Sequence, residues 1–198
     1  PFRLHLSTEI RFGVGALDTL GEAAASYGSR ALLVYGGGSV KRNGVYETIL
    51  EQLRTAGVEA TEFAVVRPNP RLSHAEEGAR VARESGAEVV IAAGGGSVID
   101  EAKAIAVGAV DSGGELWDFY DRKRQLSGAL PLLAVQTLPA SSSENNMVSV
   151  LTNEETREKL SIRSPHITPR IAFLDPEVTR TLPLQQTAYA CTDILSHM

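Results

Sequence analysis

One device occurs twice in this chain and limits its fold more than anything else. LLVYGGGSV at 32–40 and VVIAAGGGSV at 89–98 each join an apolar run to three glycines, a serine and a valine. An uninterrupted apolar run of this length reads as a strand buried on both faces, the signature of a parallel sheet covered by helices. Glycines directly after it permit a tight turn and close backbone approach to a ligand. A helix opening there offers unpaired N–H groups and a positive dipole end to an anion. The second copy opens a helix directly; the first does so after a short connection. The device therefore predicts an α/β fold, a Rossmann-like, mostly parallel sheet with nucleotide phosphates at its strand ends. The bland alternative is a pair of turns that let helix and strand pack closely. Neither copy matches GxGxxG, and the P-loop lysine pattern is absent, so ATP hydrolysis has no support.

The rest of the chain alternates in the same way. Strands are expected at 31–35, 58–66, 88–93, 131–136, 147–152 and 170–174, with helices at 45–57, 98–110 and 182–198. Ser73 and Glu76 are spaced as a capping box for a helix running to Glu84. RPNP at 67–70 is a turn, and Pro183 suits a first helical turn. Two domains are expected: 1–182 as a dinucleotide-binding unit, and 183–198 as the start of a helical metal-binding one. With 198 residues, 43% of them hydrophobic, the chain can build one sizeable core. The net charge of −5 with scattered basic residues argues against nucleic acid. No apolar run approaches the roughly 20 residues of a membrane span. PFRLHLSTEIRFG does not read as a signal peptide, and a single cysteine, Cys191, suits a reducing cytoplasm.

Individual residues suggest chemistry. Asp100 falls in the first turn of the helix after the second glycine turn, where it can stabilise the dipole, order the loop or bond a ribose hydroxyl. Dinucleotide sites that hold an unphosphorylated ribose commonly end a strand with an acid. Here Tyr35 is followed by Gly36, Gly37, Gly38 and Ser39, then by Lys41 and Arg42. That favours NADP(H) over NAD(H), unless the two cations are ordinary surface charges. Asp193 and His197 are four apart on the last helix and can share a divalent ion; an exposed i, i+4 pair is the plainer reading. His5, His74 and His166 read as surface residues. Trp117, Phe119 and Tyr120 either border an apolar pocket or simply pack.

Taken in order, IRFGVGAL (10–17), VYGGGSVKRNGVY (34–46), RPNP (67–70), GGGSVIDEAKAIA (94–106), TLPASSSENN (137–146), FLDPEVTRTLP (173–183) and DILSH (193–197) resemble the iron-containing, group III alcohol dehydrogenases. The likeness is strongest to their butanol-dehydrogenase-like aldehyde reductases, and it spans nearly the whole chain. It implies that Gly95, Gly96 and Ser97 hold the pyrophosphate and that Gly36 to Ser39 sit near the adenosine ribose. It implies that Asn69, Thr137, Leu138, Ser141, Lys159 and Leu182 lie along the dinucleotide. Asp193 and His197 become two of four ligands for Fe²⁺ or Zn²⁺, the other two being histidines of a downstream helical domain. The family's Thr-Gly-Ser-Glu is here Ser141-Ser142-Ser143-Glu144, which puts a side chain where the backbone favours glycine.

The activity implied is hydride transfer between NADP(H) and a primary alcohol or aldehyde, in a homodimer. Three rival readings are a non-catalytic nucleotide-binding domain, a glycerol dehydrogenase-like polyol oxidoreductase, and an assembly module.

Overall fold

The computed structural model describes residues 5–111 and 113–196. Eight strands are present: β1 (Glu9–Phe12), β2 (Arg30–Gly36), β3 (Glu59–Val66), β4 (Val89–Gly94), β5 (Leu132–Gln136), β6 (Val148–Asn153), β7 (Glu158–Arg163) and β8 (Ile171–Leu174). The α-helices are α1 (Leu20–Ala25), α2 (Ser39–Arg42), α3 (Val45–Thr55), α4 (Leu72–Glu84), α5 (Gly96–Val110), α6 (Trp117–Tyr120) and α7 (Leu184–Ser196).

Six strands form one sheet in the order β1-β8-β5-β4-β2-β3. Every pairing in it is parallel. Side chains alternate across such a sheet. Leu32, Val34, Val90, Ala92, Leu132 and Ala134 point to the face covered by α4 and α5. Leu33, Tyr35, Ile91, Leu133, Val135 and Phe173 point to the face covered by α1 and α3. The result is three layers with a core on each side of the sheet, which is why the central strands carry no polar alternation. Apart from Asp100, helix α5 is buried from Val98 through Gly108, wedged against the sheet, α4 and the β6–β7 hairpin. Gly78 permits the α4–α5 approach, since a Cβ there would stand 2.4 Å from Ile105 Cδ1.

Two local expectations are corrected. Leu72, not Ser73, opens α4, with Arg71 extended at its N-cap and bridged to Thr152. The Ser73 hydroxyl donates to Glu154 of the hairpin (2.6 Å) rather than capping α4, so the capping box does not form. The residues 147–152 are a strand, but not one of the main sheet: β6 pairs antiparallel with β7 in a separate hairpin laid across α5. Strands β1 and β7 go beyond the sequence expectations. Among the described residues no helix is long and apolar enough to cross a membrane.

Candidate functional site

From β2 the chain moves outward to β3, and from β4 it moves the other way to β5, although β2 and β4 are neighbours. A crevice opens at the carboxyl ends of two such strands, the topological switch point of an open α/β sheet. Both glycine turns lie there. Gly38, at φ +99°, turns the chain from β2 into α2, and Gly95 precedes the first residue of α5.

A groove of about 300 Å³ lies beside the N-terminus of α5, between the RPNP turn, the 138–141 segment and the hairpin. Of the residues expected on the dinucleotide, Asn69, Gly96, Ser97, Asp100, Leu138, Ser141 and Lys159 line it. Gly95 packs against Leu138, and the buried Thr137 donates its N–H to Gly94 O (3.0 Å). Gly36 to Ser39 stand at the neighbouring strand end, outside the groove lining. Leu182 lies in the turn before α7, also outside it. A Cβ on Gly96 would stand 2.2 Å from Ser141 Oγ, so only glycine keeps this part of the floor open. The groove offers what a diphosphate needs: helix N-terminal amides, the Ser97 and Ser141 hydroxyls, and one cation. That cation, Lys159, donates to Asn69 Oδ1 (2.8 Å), and Asn69 holds φ +56° to meet it.

Beneath the groove is a buried polar cluster. Asp100 Oδ1 accepts from Ser143 Oγ (2.5 Å) and Oδ2 from Val150 N (3.2 Å). Burial pushes its carboxyl above the usual range, opposed chiefly by the Ser143 bond. Of the roles open to Asp100, ordering the loop is the one these bonds describe. Glu144 is buried, raised for the same reason, and accepts from Gln136 Nε2 (2.7 Å). Lys103 escaped sequence reasoning: fully buried, it donates to Ser143 Oγ, Asn146 O, Asn146 Oδ1 and Val148 O at 2.7–3.1 Å. Burial pushes its ammonium down to about 8. Ser142 holds φ +54°, so a serine indeed sits in a left-handed conformation.

At the other glycine turn, Lys41 is engaged. Its ammonium lies 4.3 Å from the Tyr46 ring centre and 5.1 Å from that of Tyr35. Both tyrosine hydroxyls donate to Glu62, at 2.6 and 2.8 Å, and the Tyr35 bond holds that carboxyl below its usual range. Arg42 is exposed, its Nη1 3.8 Å from where a Cβ on Gly38 would stand.

The remaining candidates fall elsewhere. Asp193 is exposed on α7, and His197 lies outside the described residues. Among the described residues no three His, Cys, Asp or Glu side chains group to hold a metal. Trp117, Phe119 and Tyr120 are buried; Trp117 stacks on Tyr120 at 5.4 Å, and the Tyr120 hydroxyl meets Ser149 Oγ at 2.8 Å. They pack, and none lines the groove. His74 is not an ordinary surface histidine. It stacks on Phe63, and its Nδ1 is in short contact with the buried Glu101 across the α4–α5 contact. Those two residues are 27 apart in sequence, so only tertiary packing reveals the pair.

A doubly wound parallel sheet with glycine turns at its switch point defines a Rossmann-like α/β domain. The sequence pattern of the iron-containing alcohol dehydrogenases matches residues 7–176, and the chain belongs to that family. It is 45% identical over 191 residues to the probable NADH-dependent butanol dehydrogenase 1 of Bacillus subtilis, covering 96% of this chain and 49% of that protein. It is 36% identical to the NADPH-dependent aldehyde reductase YqhD of Escherichia coli, covering 99% of this chain and 50% of the relative. The crystal structure of NADH-dependent butanol dehydrogenase A from Thermotoga maritima superposes with a TM-score of 0.94 at 41% identity, over 100% of this chain and 50% of that one. The chain thus spans about half the length of the relatives it matches.

Proposed function

We propose that this chain carries the dinucleotide-binding part of an NAD(P)(H)-dependent alcohol dehydrogenase or aldehyde reductase acting on a primary alcohol or its aldehyde. The observation that carries the reading is the groove at the switch point, where Gly96, Ser97, Ser141 and Lys159 converge on α5's N-terminus. In this reading Gly95, Gly96 and Ser97 take the pyrophosphate, with Asn69, Thr137, Leu138, Ser141, Lys159 and Leu182 along the dinucleotide. Gly36 to Ser39 take the adenosine ribose, and Asp100 orders the loop above. NADP(H) is favoured over NAD(H), because β2 ends without an acid and exposed Arg42 lies beside Gly38. The names of relatives run both ways, NADH-dependent in Bacillus and NADPH-dependent in Escherichia.

Residues 1–182 would form the cofactor-binding domain, and 183–198 would begin a helical one, with Asp193 and His197 giving two ligands to Fe²⁺ or Zn²⁺. When bound, the nicotinamide supplies or accepts hydride and the ion supplies Lewis acidity to the substrate oxygen. This chain's own part is to bind and orient the dinucleotide. A homodimer in the cytoplasm belongs to the same reading; the homodimer is supported by β1 as the edge strand of the sheet among the described residues, with Ile10 and Phe12 exposed.

A second reading concerns the 198 residues alone: they span half of each relative, which favours cofactor binding without turnover. Calorimetric titration with NADPH and NADH, beside aldehyde-dependent NADPH oxidation with added Fe²⁺ or Zn²⁺, tests both. NADPH binding supports the cofactor role, and no binding of either nucleotide rejects it. Turnover by the 198-residue chain rejects the second reading.

A further inference from the structure

We propose that Lys103 is the positioning residue of the dinucleotide groove, holding the 141–146 segment and the start of β6 against α5 so that the groove stays open. The inference rests on the reading of that groove as the cofactor site.

The argument begins with a cost. A lysine without solvent exposure is rare and is retained only where its ammonium is bonded. Here the ammonium has three N–H donors facing four acceptors, Ser143 Oγ, Asn146 O, Asn146 Oδ1 and Val148 O. All four belong to one stretch of chain, and it is the stretch that follows Ser141 in the groove wall. Two further bonds close the arrangement. Ser143 Oγ donates to Asp100 on α5, and Asn146 Oδ1 accepts from Val148 N. Lys103 and Asp100 are one helical turn apart, so a single face of α5 clamps the segment at two heights.

The segment needs clamping. Ser142 sits in the left-handed region at φ +54°, a conformation that strains a non-glycine residue. Ser141 lines the groove next to it, with its Oγ in the space that a Cβ on Gly96 would take. Without the clamp, Ser142 can relax and carry Ser141 across the amides of Gly96 and Ser97. Lys103 touches no lining atom itself and acts through the loop.

The groups facing this ammonium are the carboxylates of Asp100 on its own helix and Glu144 on the loop. Asp100 in turn feels the charge of Lys159 from β7, and it acts on the buried Tyr120 hydroxyl. A neutral amine keeps two N–H groups for the four acceptors. Because burial lowers the Lys103 ammonium to about 8, groove order falls as pH is raised through that value.

The test uses the 198-residue chain, NADPH and two variants, Lys103→Met and Ser143→Ala. The second removes only the hydroxyl shared by Lys103 and Asp100, and so remains informative if the first unfolds. Hydrogen exchange in the nucleotide-free protein should quicken at 141–150 in Ser143→Ala while α5 stays protected. The NADPH Kd should rise about tenfold or more, the equivalent of about 1.4 kcal/mol. Wild-type affinity should fall between pH 7 and 9, and Lys103→Met should bind weakly throughout with a flat profile. Unchanged exchange at 141–150 overturns the inference, as does a mobile loop with unchanged Kd, or the same pH profile in Lys103→Met as in wild type. Normal loop ordering by Lys103 in a wild-type chain that binds no NADPH would instead reject the cofactor reading, since the exchange result stands without nucleotide.

Discussion

Arg42→Gln separates the two nicotinamide cofactors. The side chain lies beside Gly38 in the turn after β2, while Lys41 is held by two aromatic rings near Glu62. On the proposed reading, Arg42 is therefore the cation that would meet a phosphate on the adenosine ribose. An exposed single-contact pair contributes about 1 kcal/mol, and a two-bonded guanidinium–phosphate pair about 2. The variant should weaken NADPH binding by about five- to thirtyfold, because each 1.4 kcal/mol is tenfold in Kd. NADH has no 2′-phosphate, so its Kd should move less than about twofold on the same scale. Titration calorimetry of both nucleotides against both proteins reads the four constants, and raising the salt should shrink the NADPH difference alone. Equal losses for NADPH and NADH would refute the argument, since the residue would then support the turn rather than read the phosphate. A loss specific to NADPH in Lys41→Met but not in Arg42→Gln would refute it as well.

Other outcomes follow from single positions. Gly96→Ala should drive Ser141 from its place and weaken NADPH binding about tenfold or more while the circular dichroism spectrum is retained. Gly21→Ala puts a methyl 2.1 Å from the backbone oxygen of Gln52, where α1 crosses α3. Overpacking of about 1–3 kcal/mol should exceed the helix-propensity gain of about 1, giving a lower thermal midpoint; a higher one would show that the helices slide apart freely. Glu88 accepts from Ser29 N, Ser29 Oγ and Arg30 N, and the Ser29 amide chiefly holds its carboxyl below the usual range. A lowered native value stabilises above the ordinary carboxylate range and is lost as pH falls through it. Glu88→Gln should therefore be less stable at neutral pH and match the parent in acid; a deficit that persists at low pH would assign the effect to packing.

The central sheet was legible because burial on both faces writes strands as plain apolar runs, as in ALLVY and EVVIAA. The glycine turns were legible for a related reason: Gly38 takes φ +99°, and a Cβ on Gly94 would stand 2.4 Å from Val98 Cγ2. Strand β7, EKLSIR, hid because its lysine, arginine and glutamate face water and only Ile162 is fully covered. The Ser73–Glu76 spacing misled because a carboxylate from the distant hairpin competes successfully for the serine. Lys103 drew no notice in a helix read as largely buried, since its partners lie 40 to 45 residues downstream. Spacing along a helix says which side chains share a face, but not what that face will meet.

Among the described residues strand β1 pairs only with β8, and the Thr8 hydroxyl bonds Pro169 O, 161 residues away. A chain made from its N-terminus thus produces this strand about 160 residues before its neighbour. At about 5–20 residues per second, the wait is roughly 10–30 seconds. Through that interval Ile10 and Phe12 have no sheet to join, so β1 depends on surroundings that tolerate an unpaired apolar segment. Among the described residues the other five strands of the sheet can pair before it, and β1 joins an edge built from strands that follow it in the chain.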